Sequence, residues 1–194
     1  MKPTTYITSP AIVTLEEHEF IQSCVLADGF PWFYQGLQTY GENIPVKLLP
    51  KVHNASFFCH ILLSASPSAE QEGTVNSTHF DFFNNIFQRW LEQHKIDCHF
   101  IYRAAVNLVE HVDKEMTVPH TDHLYPHKSW IMYLNTVDSA ETVLFDADYN
   151  ITANIPCKQY EAVTFGGELH SHRYPPKYQR RLAVVFTYMD AATV

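Results

Sequence analysis

Residues 120–135 read His-Thr-Asp-His-Leu-Tyr-Pro-His-Lys-Ser-Trp-Ile-Met-Tyr-Leu-Asn, and about fifty residues later come His170-Ser171-His172 and the pair Arg180-Arg181. In an extended chain residues i and i+2 point to one face. His120 and Asp122 can therefore present an imidazole and a carboxylate side by side, with Thr121 turned away. A distal histidine then completes three ligands on one face of a metal, and the open positions opposite are what non-haem Fe(II) oxygen chemistry requires. The His-x-Asp pattern alone says little in a chain with 12 histidines. Arg181 adds weight, because it opens an apolar strand whose alternation turns it inward with Ala183 and Val185 while Arg180 faces solvent. An inward guanidinium needs an anion.

A second His-x-Asp, His111-Val112-Asp113, lies nine residues upstream. Thirteen residues separate His120 from Tyr133, room for a short loop and one strand, whereas twenty-two from His111 demand a long connection. His120 and Asp122 are therefore the expected ligands, with His111 and Asp113 as loop charges. His170 and His172 also share a face if their segment is extended, so geometry does not separate them. Spacing to Pro175 and Arg181 favours His170.

The chain has 194 residues, 46% hydrophobic and 14% aromatic, enough for one sizeable core. Cys24, Cys59, Cys98 and Cys157 are scattered without a Cys-x-x-Cys, and the first residues read as neither signal peptide nor long apolar run. The expectation is a reduced, cytoplasmic protein with no membrane association. A net charge of −8 argues against nucleic acid held through phosphate contacts.

Thr14 to Glu17 has the capping-box pattern before Phe20, Ile21, Cys24 and Val25 at helical spacing, with Gly29 as a stop. Residues 29–56 read mostly as loop, and Phe57–Leu63 as a short buried strand. Ser64–Ser77 reads as an exposed loop. Phe80, Phe83, Ile86, Phe87, Trp90 and Leu91 recur at three and four residues, the stripe of a helix packed on a sheet. From Phe100 the pattern becomes β runs: Phe100–Val109, Thr117–Asp122, Ser129–Asn135, Thr142–Asp146, an interval near Ile151, Glu161–Phe165 and Arg181–Tyr188. Short strands after two helices predict a mainly β fold, sandwich or barrel, with helices outside.

Residues 100–189 resemble the Fe(II)- and 2-oxoglutarate-dependent dioxygenases, in particular short chains of the prolyl-hydroxylase-like branch. The resemblance rests on His120-Thr121-Asp122 followed by a strand ending Tyr133-Leu134-Asn135, then Glu141–Asp146. It extends through Pro156–Phe165 to His170, Pro175 and Arg181. Ser139-Ala140 stands where the family usually has Gly-Gly, so that turn needs another geometry. The resemblance implies a double-stranded β-helix, or jelly roll: one oxygenase domain over 1–194, with 1–99 as a helical and loop support region and 100–189 as the jelly-roll core. It implies Fe(II) on His120, Asp122 and His170, 2-oxoglutarate as cosubstrate with its C5 carboxylate on Arg181 and the Tyr133 hydroxyl, and O2 as oxidant. The activity implied is hydroxylation of a prolyl residue or a small amino-acid-like molecule. Asn107 could face the cosubstrate. The rival reading is a jelly-roll module for metal binding or protein interaction without catalysis. Oligomeric state is not legible.

Overall fold

The structure is a computed structural model that describes residues 5–37 and 44–191. The loop expected over 29–56 falls partly on residues 38–43, outside the described residues. The strands are β1 (Tyr6–Pro10), β2 (Phe33–Gln35), β3 (Val52–His53), β4 (Phe57–Ser64), β5 (Thr74–Val75), β6 (Cys98–Val109), β7 (Met116–Thr117), β8 (Lys128–Tyr133), β9 (Val137–Phe145), β10 (Ile151–Cys157), β11 (Glu161–Gly166), β12 (His170–His172) and β13 (Arg181–Asp190). The helices are α1 (Leu15–Phe20), continued by a π-helical turn over Ile21–Val25, and α2 (Phe80–Gln93).

An antiparallel sheet of order β1-β11-β8-β13-β6-β4-β2, with β5 beside β4, packs against a smaller sheet of order β10-β9-β12. This is the jelly-roll arrangement expected. Strand alternation divides the larger sheet into two faces. Even-numbered Ala104, Val106, Leu108, Trp130, Met132, Leu182, Val184, Phe186 and Tyr188 pack with Ile21, Val25, Phe83, Ile86, Phe87 and Trp90 of the helices. Odd-numbered Ile131, Tyr133 and Ala183 turn the other way and pack with Val137, Ala140 and Leu144 of β9 and Ile155 and Cys157 of β10. The mouth between the sheets therefore collects the odd positions of β6, β8 and β13.

The α2 stripe is buried as its spacing predicts, with Phe80, Phe83, Ile86, Phe87, Trp90 and Leu91 all on the sheet. At α1 both halves of the capping box form, Glu17 N donating to Thr14 Oγ1 at 3.2 Å and Thr14 N to Glu17 Oε2 at 2.9 Å. Gly29 has φ of 96°, but the helical turns already end at Val25. No helix among the described residues is long and apolar enough to cross a membrane.

Several strand expectations need correction. The run Thr117–Asp122 is not one strand: β7 ends at Thr117, His120 makes an isolated bridge with His170, and the chain bends at Asp122. The interval Pro156–Phe165 is split between β10 and β11, with Tyr160 at φ of 61° in the turn. At Ser139-Ala140 the substitute geometry is a bulge inside β9, where Cys157 pairs with Val137 but Ile155 pairs with Thr142. Ser139 adopts φ of 62° there, a left-handed conformation that glycine takes at less cost. Strands β1, β2, β3 and β5 were not anticipated; β1 pairs with β11 at the sheet edge through mostly exposed residues and so carries no apolar alternation.

Phe87 lies stacked on Phe186 at 4.6 Å between centroids, and its ring also meets Trp130 at 5.2 Å and Tyr188 at 5.3 Å. Phe87→Ala is expected to cost about 3–5 kcal/mol, because a cavity opens where no neighbour can collapse into it. Leu15→Ala, at a 72% exposed position, should stay within about 0.5 kcal/mol. Denaturant unfolding of the two variants checks the difference.

Candidate metal centre and anion clamp

Two backbone hydrogen bonds tie the halves of the site together: His120 N donates to His170 O at 2.9 Å, and His170 N to His120 O at 2.9 Å. This bridge brings the loop after β7 against β12. The rings of His120 and His170 lie 4.5 Å apart, and His170 Nε2 is 3.6 Å from Asp122 Oδ2. One ligand-type atom from each of His120, Asp122 and His170 falls within 4.8 Å of the others. Sequence alternation anticipated the pairing of His120 with Asp122, but the bend at Asp122, not a continuing strand, brings the carboxylate to the imidazoles.

Both imidazoles are oriented in the same way. His120 Nδ1 lies 3.0 Å from Val118 O, and His170 Nδ1 lies 3.1 Å from Glu168 O. A carbonyl can only accept, so each Nδ1 carries a hydrogen and Nε2 is the ring atom left to meet a ligand. Such carbonyl contacts are the usual way a metal-binding histidine is held. Ser129 Oγ donates to Asp122 Oδ2 at 2.6 Å, fixing the third member. Burial pushes His170 down to about 4, only partly opposed by Asp122, so it is neutral near pH 7. Burial alone would raise the Asp122 carboxyl, but His170, His120, the Ser129 hydroxyl and Arg103 together hold it well below the usual carboxylate range. The group thus offers two imidazole Nε2 atoms and one carboxylate.

At the other end of the same cavity lies Arg181, 4% exposed. Its Nε donates to Ala140 O at 3.2 Å and its Nη2 to Thr142 Oγ1 at 2.9 Å. Tyr133 OH also donates to Thr142 Oγ1, at 2.7 Å, and the Arg181 guanidinium sits 5.2 Å from the Tyr133 ring centroid. No carboxylate of the described residues comes within ion-pair distance of Arg181. Its neighbour Arg180 is exposed and pairs with Glu110 at 3.3 Å, as the alternation predicts. His111 and Asp113 pair with each other at 3.0 Å on the surface, the loop position expected of them.

His172 lines the same cavity as His170. It pairs on β9 with Thr142, the residue that Arg181 and Tyr133 both hold, which puts it on the clamp side of His170. Burial and the adjacent Arg181 keep the His172 ring neutral, and its Nε2 is buried without a hydrogen-bond partner. Asn107 Oδ1, on the same cavity wall, is likewise buried and unpartnered. Sequence reasoning did not single out Thr142, Ser129 or Arg103. Ser129 shares the odd register of Ile131 and Tyr133, and Arg103 that of Asn107, a signal present in the sequence.

No family model and no curated protein sequence matches the chain. Solved structures do. A 2OG-Fe(II) oxygenase family oxidoreductase from Burkholderia pseudomallei matches with a TM-score of 0.67 at 14% identity, over 94% of this chain and 84% of that one. A prolyl hydroxylase from Trichoplax adhaerens, solved with a hypoxia inducible factor peptide fragment, gives 0.61 at 12% identity over 97% and 84%. The epimerase SnoN, solved with Fe3+, alpha-ketoglutarate and nogalamycin RO, gives 0.56 at 13% identity over 98% and 80%. At these identities the likeness is one of fold, and the fold of this chain is the jelly roll of the Fe(II)/2-oxoglutarate oxygenases, prolyl hydroxylases among them.

Proposed function

We propose that this chain is an Fe(II)- and 2-oxoglutarate-dependent dioxygenase that hydroxylates a small-molecule or peptide substrate. One observation carries the reading: a His-Asp-His cluster shares a cavity with a buried guanidinium that has no carboxylate partner among the described residues. A binding-only module would give Arg181 no evident anion, and an unpaired buried charge is costly.

The residues present fit both absent groups. His120 Nε2, His170 Nε2 and an Asp122 oxygen would hold Fe(II) as a two-histidine, one-carboxylate face. Arg181, the Thr142 hydroxyl and Tyr133 would receive the C5 carboxylate of 2-oxoglutarate, while Asn107 and His172 supply unpartnered polar atoms on the same wall. When bound, the iron and cosubstrate supply the oxidising chemistry: 2-oxoglutarate and O2 yield succinate and CO2, and one oxygen atom enters a C–H bond of the substrate. The chain's own work is orientation and exclusion of water. The Val118 and Glu168 carbonyls hold the imidazole rings, Ser129 holds Asp122, and Ile131 and Val185 line the cavity with apolar surface. Both the peptide-bound and the small-molecule-bound neighbours support a substrate of either size.

Purified protein with Fe(II), ascorbate and 2-oxoglutarate is expected to release succinate slowly without added substrate, and His120→Ala or Asp122→Ala to abolish it. Loss in His111→Ala with retention in both of those variants would contradict the assignment. In iron titrations His170→Ala should lose binding, whereas His172→Ala should bind iron nearly as the parent does and weaken 2-oxoglutarate instead. The reverse pattern would move the ligand to His172.

Arg181→Ala is expected to raise the KM for 2-oxoglutarate on the order of ten- to a hundred-fold, since a hydrogen bond to a charged group contributes about 1.5–3 kcal/mol. Tyr133→Phe should do less. Equal tolerance of Arg180→Ala and Arg181→Ala in the same kinetic measurement would contradict the clamp.

A further inference from the structure

Residues paired across adjacent strands share a face, so the cavity wall can be laid out in rows. One row runs Asn107, Ala183, Tyr133; the next runs Ala105, Val185, Ile131, Val163; the third runs Arg103, Thr187, Ser129, Phe165. The first row belongs to the clamp. The second is an apolar floor. The third lies by the metal cluster, because Ser129 donates to Asp122, the Phe165 ring meets the His170 ring at 5.1 Å, and the His123 ring nitrogen is 2.7 Å from Thr187 Oγ1. Arg103 is thus four residues from Asn107 along β6, about 13 Å at 3.3 Å per residue. It sits at the end of the cavity away from the Arg181 clamp.

Arg103 is half-buried and lines the same cavity as His120 and Asp122. Among the described residues its guanidinium forms no ion pair and no side-chain hydrogen bond. Asp122 is not its missing partner once the centre is loaded. The two positive charges of Fe(II) are matched by Asp122 and the C1 carboxylate of 2-oxoglutarate, and Arg181 is matched by the C5 carboxylate. Arg103 is then the remaining positive charge on the cavity lining, and a guanidinium leaving water favours a carboxylate that can take its fork.

Resting on the oxygenase reading above, we infer that the substrate to be hydroxylated carries a carboxylate that pairs with Arg103. This second anion site would suspend the substrate from β6 with its reacting carbon over the metal, separate from the cosubstrate's anion site. Arg103 is a specificity-determining residue in this account and has no part in holding the metal.

The test compares amino acids as N-acetyl acids with the same compounds as N-acetyl amides, measured for binding by ligand-observed NMR. It is run on metal-free protein and on protein loaded anaerobically with Fe(II) and 2-oxoglutarate. At least one acid is expected to bind the parent roughly tenfold more tightly than its amide, with the preference lost in Arg103→Met and partly restored in Arg103→Lys. Inorganic phosphate should compete weakly, having no apolar body to place over the floor. The proposal is overturned if no acid is preferred over its amide, if Arg103→Met keeps the preference, or if phosphate competes as well as every acid. The visible absorption of the iron–cosubstrate complex, recorded in parallel, separates the two readings. Its absence from the parent contradicts the oxygenase assignment, whereas its presence without an acid preference contradicts only the role of Arg103.

Discussion

The paired backbone hydrogen bonds between His120 and His170, each 2.9 Å, are the constraint on which the site depends. The loop that carries His120 and Asp122 has no continuous strand to hold it, and β12 is only three residues long. Reciprocal bonding at this one bridge fixes both at once. It also leaves each Nδ1 facing a carbonyl two residues earlier in its own chain, so neither ring needs a distant partner to set its tautomer. Holding the ligands by the chain's own backbone in this way is the kind of preorganisation that placing three donors on one metal face requires.

The larger sheet then divides the labour between its faces. Even positions of β6, β8 and β13 go to the helices, where Trp90, Trp130, Phe87 and Phe186 make a sealed core. Odd positions supply the larger sheet's polar groups at the site: Arg103 and Asn107 from β6, Ser129 and Tyr133 from β8, Arg181 from β13. The same alternation explains why one cavity can hold two arginines. Arg181 is enclosed between the sheets with Thr142 and Tyr133, whereas Arg103 is only half-buried.

Much of this was legible in the sequence because it rests on period. The α2 stripe, the runs Phe100–Val109, Ser129–Asn135, Thr142–Asp146, Glu161–Phe165 and Arg181–Tyr188, and the inward turn of Arg181 beside the outward Arg180 follow from spacing alone. What period cannot give is depth. It places His170 and His172 on one face but does not say which lies by the clamp, and only the pairing of His172 with Thr142 answers that. Nor does it reveal contacts that follow from a bend, such as Asp122 reaching back to Ser129. Edge strands such as β1 escape because exposed residues carry no apolar signal. Arg103 was overlooked for a different reason: in the long apolar β6 its register was visible, but its lack of a partner appears only once the sheets are packed.

The central claim is that the His120–Asp122–His170 cluster and the Arg181 clamp act as one site for iron and 2-oxoglutarate. Anaerobic addition of Fe(II) and then 2-oxoglutarate tests both halves together through the visible metal-to-ligand absorption of the joint complex. The account predicts a band that appears only when both are present, that is lost in His170→Ala, and that needs far more 2-oxoglutarate in Arg181→Ala. No band in the parent protein, or a band unchanged in both variants, would contradict it.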